Sequence, residues 1–87
     1  MILAFTPNAV KDLARLSKSM ADRIVSKMEW FAVQKNPLAF AKPLKGGQYG
    51  SCRFRIGQYR VLVDVRGGRM SVLFVLAVRH RKEAYQL

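Results

Sequence analysis

Apolar and polar residues follow one period in the first half of this chain and another in the second. Met1–Phe5 is short and apolar and reads as an opening strand. Thr6-Pro7 then reads as a helix start, because a Thr hydroxyl caps a free backbone N–H and Pro sits where its missing N–H costs nothing. Val10, Leu13 and Leu16 follow at threefold spacing and predict one buried stripe, with Lys11, Asp12, Arg15 and Lys18 facing elsewhere. Ser19 opens a second helix, with Asp22 three residues on in a capping-box-like arrangement. Its predicted buried stripe is Met20, Ile24, Met28, Phe31 and Ala32. That helix stops before Asn36-Pro37, since the residue preceding a proline resists helical angles.

All six glycines (46, 47, 50, 57, 67 and 68) fall in the second half, where the period shortens to two. Pro37 to Ser51 reads as a loop. Arg53 to Ile56 alternates basic with apolar, as a half-buried strand does. Gly57-Gln58 turns the chain into a strand over Tyr59–Arg66, and Gly67-Gly68 is a two-residue hairpin signal leading into Arg69–Val78. The fold class is therefore α+β: an N-terminal strand, a two-helix hairpin joined at Lys18-Ser19, then an antiparallel three-strand meander, with a short charged tail from Arg79 to Leu87. Nothing marks a linker, so residues 1–87 read as a single domain.

Composition narrows the class. Sixteen Lys and Arg against five Asp and Glu give a formal charge of +11, which calls for a polyanion or an acidic protein as partner. With 51% apolar residues the chain is no disordered basic tail. No apolar run approaches the ~18–20 residues of a membrane span, and no signal-peptide pattern opens the sequence. The single cysteine, Cys52, excludes an intramolecular disulfide and fits a reducing compartment or simple indifference to redox, and one Cys with one His argues against a structural zinc site.

Candidate chemistry gathers at two places. Arg53 and Arg55 share one strand face while Phe54 and Ile56 turn toward the helices, and Arg60 lies just across the turn. Guanidinium forks match phosphate oxygens, so a bound phosphate is one reading of the three; a merely solvated basic sheet face is the other. The second place is the tail, with Arg79, His80, Arg81 and Tyr85. Taken singly, His80 suits an incidental histidine and Tyr85 a core or partner anchor. Together with arginines they suit cleavage of RNA by its own 2′-hydroxyl. That reaction needs a proton acceptor, a donor for the leaving 5′-oxygen, and positive charge around the phosphorane. No carboxylate cluster suggests a catalytic magnesium site, so such a nuclease is expected to work without metal or other cofactor. Lys42, Lys45 and the neighbouring glycines lack the spacing of a phosphate loop. Trp30 and Tyr49 suit either packing or base stacking. Cys52 has no histidine neighbour in sequence and is not expected to act as a nucleophile.

The opening FTPNAVKDLARL, the middle LKGGQYGSCRFRIGQYRVLVDV and the closing HRKEAY, in that order, resemble the RelE/ParE superfamily of bacterial toxins over about residues 2 to 85. The H-R-x-x-x-Y ending resembles the RelE branch, which implies a RelE-like fold and a cytoplasmic, ribosome-dependent endoribonuclease that cuts mRNA in the A site. The ParE branch would instead imply a DNA gyrase inhibitor without catalytic activity. By the resemblance, Arg53 and Arg55 stand where basic catalytic residues are expected and Arg60 matches the arginine of the Y-R motif. Arg60 and Arg81 would hold the scissile phosphate, and Tyr85 or His80 would take the 2′-proton. Arg53, Arg55, Arg60, Arg79 and Lys45 would bind RNA. The implied partners are a cognate RelB-like antitoxin with acidic helical segments, in a toxin–antitoxin hetero-oligomer, together with ribosome and mRNA. The chain departs from the pattern where relatives often carry lysine, at Arg53 and Arg55, and at Cys52 and Val63, where aromatics are common. The first departure weakens that pair as a general acid, a role for which His80 is the first candidate.

Overall fold

Thr6 begins the first helix as expected: its hydroxyl accepts the Ala9 N–H at 3.2 Å, and Pro7 follows it. The computed structural model describes residues 1–45, 50–67 and 69–84. Strand β1 (Ile2–Phe5) leads into α1 (Pro7–Ala14) and α2 (Lys18–Ala32). A 3-10 turn at Pro37–Phe40 and a short strand β2 (Ala41–Pro43) follow, then β3 (Cys52–Ile56), β4 (Tyr59–Arg66), β5 (Val72–His80) and a one-turn α3 (Arg81–Ala84). No helix of the described residues is long and apolar enough to cross a membrane.

The α+β plan stands, with four local corrections. The cap of α2 is Ser17, which accepts the Met20 N–H, rather than Ser19. Val10 is 55% exposed, while Leu13 packs partly buried against the core as expected and Ala9, small enough for close approach of helix and sheet, is buried in it. Part of the Pro37–Ser51 segment is not loop, because Ala41–Pro43 pairs antiparallel with Phe54–Cys52. The last strand runs Val72–His80 rather than Arg69–Val78, so the Gly67-Gly68 signal marks a longer connection, in which Gly68 lies outside the described residues.

The sheet order is β1-β5-β4-β3-β2. Three of its pairings are antiparallel; β1 runs parallel to β5, with Ile2 opposite Val72 and Phe5 opposite Val75. Helices cover one face. Ile24, Met28, Phe31 and Ala32 of α2 bury against Phe54, Ile56, Val61, Val63, Leu73, Val75 and Val78. Phe31 stacks on Phe54 with ring centroids 4.9 Å apart, an aromatic contact worth about 0.5–1.5 kcal/mol beyond the area it buries. Between Leu62 and Val63 the β4–β5 register slips by one residue, leaving Leu76 as the extra one. This bulge reverses the parity of β5, so Leu73 and Val75 before it and Val78 after it all reach the helix side.

Beyond Phe5 the β1 edge of the sheet is closed by α1. The Thr6 hydroxyl donates to the Leu76 carbonyl at 3.0 Å, and the Asp12 carboxylate accepts the Val78 N–H at 2.9 Å. Backbone groups that a longer β1 would have paired are satisfied by side chains instead. At the start of β3, Gly50 holds φ +110°, and an added Cβ there would meet the Val63 carbonyl oxygen at 2.7 Å.

Candidate functional site

Alternation along β3 turns Cys52, Phe54 and Ile56 inward and leaves Arg53 and Arg55 on the face away from the helices. The register widens this into a field, since directly opposed residues share a face. Arg55 stands opposite Arg60 on β4, Arg60 opposite Arg79 on β5, and Lys42 of β2 opposite Arg53. Lys42, Arg53, Arg55 and Arg60 together with Phe40 line a pocket of about 270 Å³. Arg60, at its floor, is only 4% exposed, whereas Arg55 is exposed at the rim. Charges in so shielded a place act through a lower dielectric than on an open surface, so the pocket draws an anion more strongly than the same arginines would in free solvent. No carboxylate is among the described residues that line it.

The tail residues divide. Because β5 runs on to His80, neighbours Arg79 and His80 alternate faces instead of clustering. His80 lies edge-on to Tyr59, with ring centroids 5.4 Å apart, and its Nδ1 accepts the Lys82 N–H at 3.3 Å. It therefore points to the side opposite Arg60 and lines a separate hollow of about 240 Å³ with Asp12, Arg15, Leu16, Tyr59, Val78 and Arg79. His80 thus lies apart from Arg53, Arg55 and Arg60. Arg79 is adjacent to Arg60 in the register, but its guanidinium turns toward α1, 3.4 Å from both oxygens of Asp12. Arg81 is exposed at the start of α3, where its N–H donates to the Gln58 carbonyl at 2.6 Å. Lys45 is exposed past the end of β2 and does not line the pocket. Tyr85 lies outside the described residues, as does Tyr49.

The pocket is thus a cationic cup with one aromatic wall, suited to bind a phosphate group and to stabilise extra negative charge on it. Two of its members are not evident from sequence. Lys42 and Phe40 fall in the Pro37–Ser51 segment with its loop-like composition, and only the pairing of Ala41–Pro43 with β3 carries them to the arginines. Pro37 at the head of a helical turn is the available local signal. Asp12, outside this pocket and with the pattern of a solvated helix residue, is a third omission; it fixes the direction of Arg79. Cys52 is buried, and burial, then the nearby Asp64 carboxylate, pushes its thiol pKa up, so little thiolate exists to act as nucleophile. Trp30 is half-exposed, edge-on to Phe31 and Phe40, with the Lys27 ammonium 4.5 Å over its ring.

Residues 3–85 match the family model described as ParE toxin of type II toxin-antitoxin system, parDE. Among solved structures, the chain is similar to one from the toxin-antitoxin complex RelBE2 of Mycobacterium tuberculosis, at 28% identity and a TM-score of 0.74, over 92% of this chain and 90% of that one. It is also similar to a chain of the RelB-RelE antitoxin-toxin complex of Methanococcus jannaschii, at 25% identity and a TM-score of 0.66, over 95% of each. A YoeB/ParE toxin from Agrobacterium tumefaciens shares the fold at 23% identity and a TM-score of 0.67, over 92% of this chain and 98% of that one. No curated protein matches the chain.

Proposed function

The chain belongs to the ParE toxin family of type II toxin–antitoxin systems, within the RelE/ParE superfamily, and from that membership we propose that it is a RelE-like endoribonuclease cutting mRNA in the ribosomal A site. One observation carries the reading: Lys42, Arg53, Arg55 and Arg60 converge on one pocket with no carboxylate among its described lining. A protein that acts only by docking has no need to concentrate charge in a cup floored by a buried guanidinium. A reaction that builds charge on a phosphate does.

In the proposed reaction the 2′-oxygen attacks the adjacent phosphorus, its proton passes to a base, and the P–O5′ bond breaks as the leaving 5′-oxygen takes up a proton from water, leaving a 2′,3′-cyclic phosphate and a 5′-hydroxyl. Arg60 binds a non-bridging oxygen from the pocket floor, while Arg53 and Arg55 meet the growing charge from the rim. Arg81, at the start of α3, is the further residue proposed to hold the phosphate. Arginine is too basic to accept the 2′-proton itself. We assign that proton to Tyr85 in preference to His80, which pairs with Tyr59 on the face opposite Arg60. The partner that neutralises the basic face is an antitoxin with acidic segments, in line with the RelBE2 and RelB-RelE complexes whose chains this one is similar to.

A second reading, a gyrase inhibitor without chemistry of its own, is favoured by the ParE description of the matching family. Purified protein added to programmed ribosomes, with primer extension to map cuts, separates the two. Ribosome-dependent cleavage that falls about 10²–10³-fold in Arg55→Ala or Arg81→Ala is the expected result. Intact mRNA together with gyrase-dependent DNA breakage replaces the nuclease with the second reading.

A further inference from the structure

Phe40 is a large apolar side chain, 45% exposed, in the wall of a pocket otherwise made of cations. Its ring is braced from behind: Trp30 meets it edge-on at 5.2 Å and 73°, and Phe31 lies against it at 5.3 Å, tilted by 34°. Phe31 in turn stacks on the fully buried Phe54, so the exposed ring is the outer member of an aromatic series rooted in the core. Such a ring is held still, which lowers the ordering cost of anything that stacks on it. It also stands on the same pocket as Lys42, Arg53, Arg55 and Arg60. An apolar planar wall beside a phosphate cup is the chemistry of a nucleotide, with phosphate oxygens on the guanidiniums and a base on the ring. At about 270 Å³ the pocket falls just below the usual range for small-molecule sites, which suits one nucleotide of a strand that passes across it.

We infer that Phe40 is the base platform of this site: single-stranded RNA binds with one phosphate among Arg53, Arg55 and Arg60 and an adjoining base stacked on Phe40. The inference rests on the reading that the cationic pocket holds an RNA phosphate. Stacking is sequence-tolerant because every base has a π-face, so Phe40 supplies affinity and register, while codon choice comes from elsewhere.

Two labelled probes test it by fluorescence anisotropy without ribosomes: a 2′-O-methyl hexanucleotide, which has no 2′-hydroxyl to react, and an abasic oligomer with the same number of phosphates. Wild-type protein is expected to bind the base-bearing probe on the order of tenfold more tightly. Phe40→Leu loses that preference and keeps its affinity for the abasic probe, Phe40→Tyr retains the preference, and Arg55→Ala weakens both. Trp30, the only tryptophan and in contact with Phe40, changes its emission with the base-bearing probe alone. Equal binding of both probes by the wild type, or a preference that survives in Phe40→Leu, overturns the platform and leaves the phosphate pocket standing. Failure of the wild type to bind either probe overturns both. The wild-type preference and the Trp30 emission decide the matter even where Phe40→Leu does not fold: a preference without an emission change overturns the platform.

Discussion

Arg53 and Arg55 are separated by one residue in sequence, and that spacing alone announces a shared strand face. Period-two alternation is a local property, which is why their placement is legible in the sequence itself. Arg60 is legible in position but not in depth, since burial depends on neighbours several strands away. His80 is not, because each residue added to a strand switches face, and nothing near Val78 marks where β5 stops. A second local network yields a pH prediction. The Ser51 hydroxyl donates to Asp64 at 2.6 Å and Arg66 stands 3.5 Å away; the Ser51 bond first, and then Arg66, hold the Asp64 carboxyl below its ordinary pKa. A lowered folded-state pKa contributes stability above the ordinary carboxylate value, and the contribution is lost as pH falls through the folded value. Urea midpoints measured from pH 5 to below about pH 4 are therefore expected to fall more steeply for wild type than for Asp64→Asn. Parallel slopes would dismiss Asp64 as a source of acid sensitivity.

Helices α1 and α2 are legible from their caps and stripes, though each boundary moves by a residue or two where serines compete to cap. Strand β2 is not legible: three residues carry no measurable period, and their pairing with β3 is decided by tertiary contact. The edge closed by α1 is equally hidden, because Asp12 carries the same charge signature as any solvated helix residue. Its bond to the Val78 N–H ties the last turn of α1 to the last long strand. Replacing it by alanine leaves a partly buried N–H without its acceptor and is expected to cost about 1–3 kcal/mol in chemical denaturation. Asp12→Asn keeps an acceptor in place and is expected to cost less. Because Arg79 is aimed by the same carboxylate, Asp12→Ala also frees that guanidinium to move.

Net charge of +11 governs the molecule's encounter with any polyanion, and it is plain from composition. What composition cannot provide is the number of charges that act together. With one phosphate seated among Arg53, Arg55 and Arg60, that contact is expected to contribute a log-log slope of about −0.7 to the salt dependence of single-strand RNA affinity, close to threefold between about 50 and 200 mM. Replacing all three arginines by alanine is expected to remove about 0.7 from the slope; an unchanged slope would place the RNA on some other basic surface. The parallel pairing of β1 with β5 is invisible in the sequence for a related reason, since strand partners far apart along the chain leave no trace in local pattern. That pairing has a consequence for the birth of the protein. Among the described residues the first strand has its only sheet partner in the last long strand, and Thr6 bonds a carbonyl 70 positions further on. A nascent chain still lacking β5 cannot seat β1, close the α1 edge or complete the core. The cationic pocket thus reaches its final form only when synthesis of that last strand is done, so a truncated chain released early carries the charges without the cup.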